Sequence, residues 1–131
     1  MKYVSVGLAL VAACWCENAF AANVEGVWAT DARYCDKVFV KKGFSVSFAE
    51  DGDLYGSGFI IEGRKIRGKV ATCNIKNSTE DGSITHLIAA CATDVMLSNV
   101  QLSVKIVDQN KLIRLFPGMS GMEIPYERCT L

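Results

Sequence analysis

Ser98-Asn99-Val100-Gln101-Leu102-Ser103-Val104-Lys105-Ile106-Val107 is the stretch that decides the fold. Val100, Leu102, Val104 and Ile106 fall on one side of an extended chain, and Gln101, Ser103 and Lys105 on the other. A period of two is that of a strand with one face buried and one in water. Asp108-Gln109-Asn110 supplies turn chemistry immediately after it, and Leu112 to Phe116 returns alongside. The unit is an antiparallel hairpin.

The same reading extends in both directions. Upstream, Phe44, Val46 and Phe48 alternate with Ser45 and Ser47, Glu50-Asp51-Gly52-Asp53 makes a turn, and Leu54 to Ile61 returns. A turn centred on Asp51 and Gly52 sets Phe48 opposite Tyr55 and Phe44 opposite Phe59, as aromatic pairs on one buried face. Glu62-Gly63-Arg64 leads into Lys65 to Cys73, and Glu123 to Cys129 closes the chain. With Val24 to Thr30 as the first strand, the pattern yields about eight strands, and no helix of three turns interrupts them. The expected fold is all-β. Sandwich and barrel both suit the pattern, and a small meander-like antiparallel barrel suits it best because closure removes exposed strand edges.

Cysteine placement adds a frame. Of the six cysteines, Cys35, Cys73, Cys91 and Cys129 lie in the strand-rich region. A hairpin loop at Asp81-Gly82-Ser83 makes Cys73 and Cys91 equidistant from Gly82, so they face each other on the side that carries Ile75, Leu87 and Ala89. Cys35 is then left to pair with Cys129. Such disulfides are expected of a small domain in an oxidising compartment.

The N-terminus agrees with that compartment. Lys2 precedes an apolar run from Val4 to Cys16, and Ala19-Phe20-Ala21 offers small residues for cleavage. A signal peptide over 1–21 and a single domain over 22–131 are expected, with a secreted or periplasmic location. The run falls short of the roughly 20 residues a membrane-spanning helix needs. Val11-Ala12-Ala13-Cys14 also reads as a lipobox, in which Cys14 would carry a lipid anchor. Fourteen basic and fourteen acidic residues balance, and Lys2 and Glu17 would leave together with the leader. Neutrality argues against nucleic-acid binding, which calls for a basic excess.

Gly26-Val27-Trp28 in the first strand resembles the Gly-x-Trp signature of lipocalins and related calycins. That resemblance implies a barrel whose base is closed by Trp28, packed against an Arg near the last strand, where Arg128 stands. It covers these residues and the all-β pattern. The chain is shorter than a typical lipocalin and lacks the C-terminal helix of that family.

Candidate sites are few. Lys65, Arg67 and Lys69 alternate with Ile66, Gly68 and Val70, which places three cations on one strand face, with Arg64, Lys41 and Lys42 as possible extensions. Such a face suits an anionic partner, a glycan, a lipid headgroup or an acidic protein surface, but an ordinary solvated strand face, with lysines discouraging edge pairing, is the favoured reading. Pro117 to Met122 is a loop with two glycines, and Met119, Ser120 and Met122 would form an adaptable contact surface. His86 is the only histidine and is expected opposite Ser78. It cannot build a usual zinc site without a free cysteine, and Glu50 to Asp53 lacks the spacing of a calcium loop. No cofactor is expected.

The functional expectation is a non-enzymatic binding protein that acts through its outer face or through loops such as Tyr55-Gly56-Ser57 and Gly118 to Met122, for instance as a protein-binding inhibitor. A carrier of a small apolar ligand, lined by Phe48, Leu102 and Val104, is one alternative. A small hydrolase using two carboxylates is the other.

Overall fold

The computed structural model describes residues 24–119 and 121–131. The expected leader over 1–21, Cys14 and Cys16, and the loop residue Ser120 lie outside the described residues. Ten strands form in the order β1 (Gly26–Ala29), β2 (Phe39–Lys42), β3 (Ser45–Phe48), β4 (Gly58–Glu62), β5 (Lys65–Arg67), β6 (Thr72–Asp81), β7 (Ile84–Ala92), β8 (Leu97–Asp108), β9 (Lys111–Leu115) and β10 (Glu123–Arg128). A single helical turn, α1 (Cys35–Val38), precedes β2, and 3-10 turns occupy Ala32–Tyr34 and Gly52–Leu54. Eight strands close a barrel in the order β1-β10-β9-β8-β7-β6-β5-β4, every pair antiparallel. Strands β2 and β3 make a separate two-stranded sheet.

That separate hairpin corrects the expected pairing of Phe44 and Phe48 with Phe59 and Tyr55. Phe48 pairs with Phe39, and their rings stand 5.2 Å apart. Phe44 occupies the turn beside Gly43, entirely in solvent at 107% relative exposure. The physical reason is locality. Lys42 and Ser45 are joined by only two residues, and Gly43 takes the positive φ of 63° that such a tight turn requires. The expected turn at Asp51 and Gly52 instead winds into a 3-10 turn, and the next strand begins only at Gly58.

Two cores result. Inside the barrel, Val24, Trp28, Ile61, Ile75, Leu87, Leu112 and Tyr126 pack together. Outside it, Ala29, Cys35, Val38, Phe39, Ile60 and Cys129 form a second cluster, completed by Val27, Val46 and Phe48. Alternation explains the division. Trp28 and Ile61 point into the barrel, whereas Ala29 and Ile60 point out and are covered by α1 and the β2–β3 hairpin. Both faces of β1 and β4 are therefore buried, which accounts for the nearly continuous apolar reading of Gly26 to Ala29. Each fully buried large side chain contributes about 1.5–3 kcal/mol.

Both expected disulfides form. Cys35–Cys129 ties α1 to the end of β10, and Cys73–Cys91 bridges β6 and β7. The path to the second differs from expectation. The β6–β7 loop holds two residues, since Asp81 pairs with Ile84, and a bulge at Lys76 shifts the register by one before Ile75 meets Ala89. The two departures cancel at Cys73 and Cys91. They do not cancel nearer the turn, so His86 lies opposite Thr79 and not Ser78.

The base of the barrel is closed by β1 and β10. Trp28 is completely buried and donates its indole N–H to the Val24 carbonyl at 2.8 Å. Arg128 lies over the Trp28 ring and donates to the carbonyls of Gln109 and Glu25. Gly26 leaves room for it, because a Cβ there would fall 2.5 Å from Nη1 of Arg128.

A hollow at the open end of the barrel

At the other end the interior is not filled. A cavity of about 590 Å³ lies between Phe59, Ile66, Leu102, Val104, Leu112 and Tyr126, and continues past Gly58, Gly68, Ala71 and the Cys73–Cys91 bridge. It reaches the end where β4, β6, β8 and β10 begin and β5, β7 and β9 finish. An eight-stranded barrel is just wide enough to be plugged by side chains or to hold one small ligand. Trp28 and Val24 plug the base, whereas small residues leave the upper interior open. Gly58 at the rim is small for a separate reason, since a Cβ there would point to the outer cluster, meet the Trp28 carbonyl and come within 2.6 Å of the Phe39 ring.

Leu102 and Val104 face the hollow interior, as alternation along β8 predicts. Phe48 does not. It packs in the outer cluster and lines a smaller cleft of about 340 Å³ between the β2–β3 hairpin and the barrel, together with Val38, Asp53 and Lys69.

The loops around the opening are apolar. Val70 in the β5–β6 turn is 79% exposed, and Val95 and Leu97 at the β7–β8 turn are 91% and 83% exposed. Met96 on the same turn and Met119 and Met122 in the β9–β10 loop are exposed as well. Three successive hairpin tips thus present large apolar side chains around one opening. Isolated exposed apolar residues are ordinary, but a concentration at one end is a mark of contact surfaces. Alternation could not reveal this ring, because its members lie in turns or, like Leu97, at a strand end.

The three basic residues do not share one strand face. Lys65 and Arg67 belong to β5, but Gly68 donates its N–H to the Ala71 carbonyl at 2.8 Å, so Lys69 sits in a turn. Arg67 donates to the Val46 carbonyl at 2.9 Å and pairs with Glu62 at 2.8 Å. Lys69 donates to the Glu50 carbonyl at 2.9 Å and pairs with Asp53. Both cations therefore brace the β2–β3 excursion against the barrel. The Asp53 carboxyl is held below its ordinary value, chiefly by the hydrogen bond from Lys69. Asp31 is held low in the same way by Arg33. Lys65 remains exposed.

His86 stands on the outer face of β7, with Nδ1 2.7 Å from Oγ of Ser103 across the ladder. Ser103 is buried at 1% exposure, so this hydroxyl is shielded from any substrate. No carboxylate among the described residues lines the large cavity. Among the described residues, no group of three or more His, Cys, Asp or Glu is gathered to hold a metal ion. Nor is any described helix long and apolar enough to cross a membrane.

A scan against protein-family models and searches of curated proteins and of solved structures find no match to this chain. The likeness to calycins is one of architecture. It consists of a small closed eight-stranded antiparallel barrel with a Trp–Arg base.

Proposed function

We propose that this protein binds a small apolar molecule in the hollow half of its barrel and serves as a secreted or periplasmic carrier. The observation that carries the reading is the 590 Å³ cavity with largely aliphatic and aromatic walls. Pockets for small organic ligands commonly measure about 300–1,000 Å³ and have apolar walls with few polar groups. The two disulfides are in keeping with an oxidising environment. Uptake of N-phenylnaphthylamine, an uncharged apolar fluorophore, tests the reading. Wild-type protein should enhance its emission with a saturable, one-to-one curve, and Leu102→Trp, which places an indole in the void, should abolish the enhancement while the protein stays folded. Equal uptake by both forms would refute it.

A second reading is favoured by the apolar ring of Val70, Val95, Met96, Leu97, Met119 and Met122. Loops of this kind suit a protein partner, as an inhibitor would require. Outer-face recognition belongs to the same class and would fall to the exposed Lys65, since Arg67 and Lys69 are engaged within the chain, with Ser120 as a further loop candidate. Pull-down with a Met119→Ser/Met122→Ser variant beside a Lys65→Ala variant separates the two surfaces. Loss of a partner only in the first variant supports the loops, and equal recovery by all forms removes both.

A further inference from the structure

The inward face of β9 carries Leu112 and then Arg114, where alternation alone would place a second apolar residue. Arg114 pairs with Val104 on β8 and Ile124 on β10, and all three line the cavity. It is the only charged residue among the described residues that do. Its guanidinium carbon stands 4.7 Å from the centre of the Phe116 ring. None of the ion pairs among the described residues includes it.

A guanidinium keeps its charge at any physiological pH and presents a planar fork of donors. Beside an apolar wall such a group is costly unless acceptors meet it, and a phenyl ring offers a π face but no acceptor lone pair. Arg114 is the last but one residue of β9, close to the opening. Tyr126 lines the same cavity one step deeper, diagonal to Arg114 across the β9–β10 ladder, within the reach of long side chains. Its hydroxyl has no hydrogen-bond partner among the described residues. The cavity is thus apolar in its depth and cationic toward its mouth.

We propose that, given the carrier reading on which this rests, the ligand is an amphiphile whose anionic head is held by Arg114. The apolar tail runs inward toward Leu87 and Leu112. The head is a carboxylate or an acid ester, and either accepts two parallel hydrogen bonds from the guanidinium.

Displacement of bound N-phenylnaphthylamine from the oxidised chain decides this, with lauric acid, dodecyl sulfate and lauryl alcohol as competitors below their micelle concentrations. Wild-type protein should prefer at least one of the two anions over the alcohol by about tenfold or more, the usual scale of a charge-assisted hydrogen bond. Arg114→Gln should abolish that preference and leave the alcohol unchanged, and Arg114→Lys should keep part of it. Preference for lauric acid alone identifies a carboxylate head, and preference for dodecyl sulfate alone an acid ester. Equal displacement by all three in wild type, or a preference that survives in Arg114→Gln, overturns the anion site and leaves the cavity reading intact. Failure of every competitor, or dye uptake that Leu102→Trp does not remove, sinks the cavity reading and this proposal with it. Thermal unfolding of each variant verifies that it is folded.

Discussion

Arg128 holds its guanidinium carbon 4.4 Å from the centre of the Trp28 ring, and the same two residues are directly paired across β1 and β10. This is where the barrel closes on itself at the base. The cation covers an otherwise exposed face of the indole and satisfies carbonyls from the loops on either side.

Arg128→Ala should therefore lower stability by about 2–3 kcal/mol, combining charge-assisted hydrogen bonds with a cation–π contact. Arg128→Lys should fall between, because an ammonium cannot span both carbonyls with a planar fork. The midpoint of urea unfolding is the measurement, and an unchanged midpoint in Arg128→Ala would contradict the assigned role.

Gly26→Ala should destabilise by about 1–3 kcal/mol, since the new methyl meets the Arg128 guanidinium and the backbone there has φ of +138°. Removing the guanidinium relieves the steric part. The double variant Gly26→Ala/Arg128→Ala should thus lose less than the sum of the single losses, a coupling that a double-mutant cycle reads directly.

The two disulfides should differ in weight. Cys35–Cys129 spans 94 residues of sequence and Cys73–Cys91 spans 18. On the chain-entropy account their removal costs about 4–5 and about 3 kcal/mol respectively. Paired Cys→Ala variants compared by denaturant unfolding should follow that order. The reverse order would mean that packing in the outer cluster, not loop closure, governs the difference.

Asp53 and Lys69 predict a pH effect of known sign. The folded-state carboxyl lies below its ordinary value of 3.8. The pair's contribution is therefore complete above that value and disappears as pH falls through the lower folded value. Asp53→Asn should be slightly less stable than wild type at neutral pH and indistinguishable from it in strong acid. Asp53 is largely solvated and Lys69 partly so, so the gap should be small and should shrink with added salt.

Strand periodicity and cysteine spacing made the barrel and its disulfides legible in the sequence. Alternation identifies a buried face but does not say which core buries it, and so Phe44, Val46 and Phe48 looked like barrel positions. The outer cluster takes Val46 and Phe48, and the Gly43 turn leaves Phe44 in water. The Cys73–Cys91 pairing emerged although the loop length was misjudged, because the Lys76 bulge restores the register before the bridge. The cavity was not legible. Inward residues can be enumerated from a strand pattern, but whether they meet across the barrel depends on small residues such as Gly68 and Ala71 lining the space. Arg114 was not legible either, because a single cation in a short strand carries no periodic signal.

The brevity of β5 has a consequence of its own. It pairs with β6 only from Thr72 to Asn74, so the outer half of β6 has no strand beside it on that side among the described residues. An open ladder of this kind invites a second molecule to add a strand and so begin a filament. Here the exposed row carries Lys76, Asn77, Ser78, Thr79, Glu80 and Asp81, and it is bent by the bulge at its start. Mixed charge and a kink make it a poor template for a neighbour. The chain thus guards by charge and shape a seam of the barrel that hydrogen bonding leaves unsealed, and a substitution such as Lys76→Val would be felt first as loss of solubility on storage.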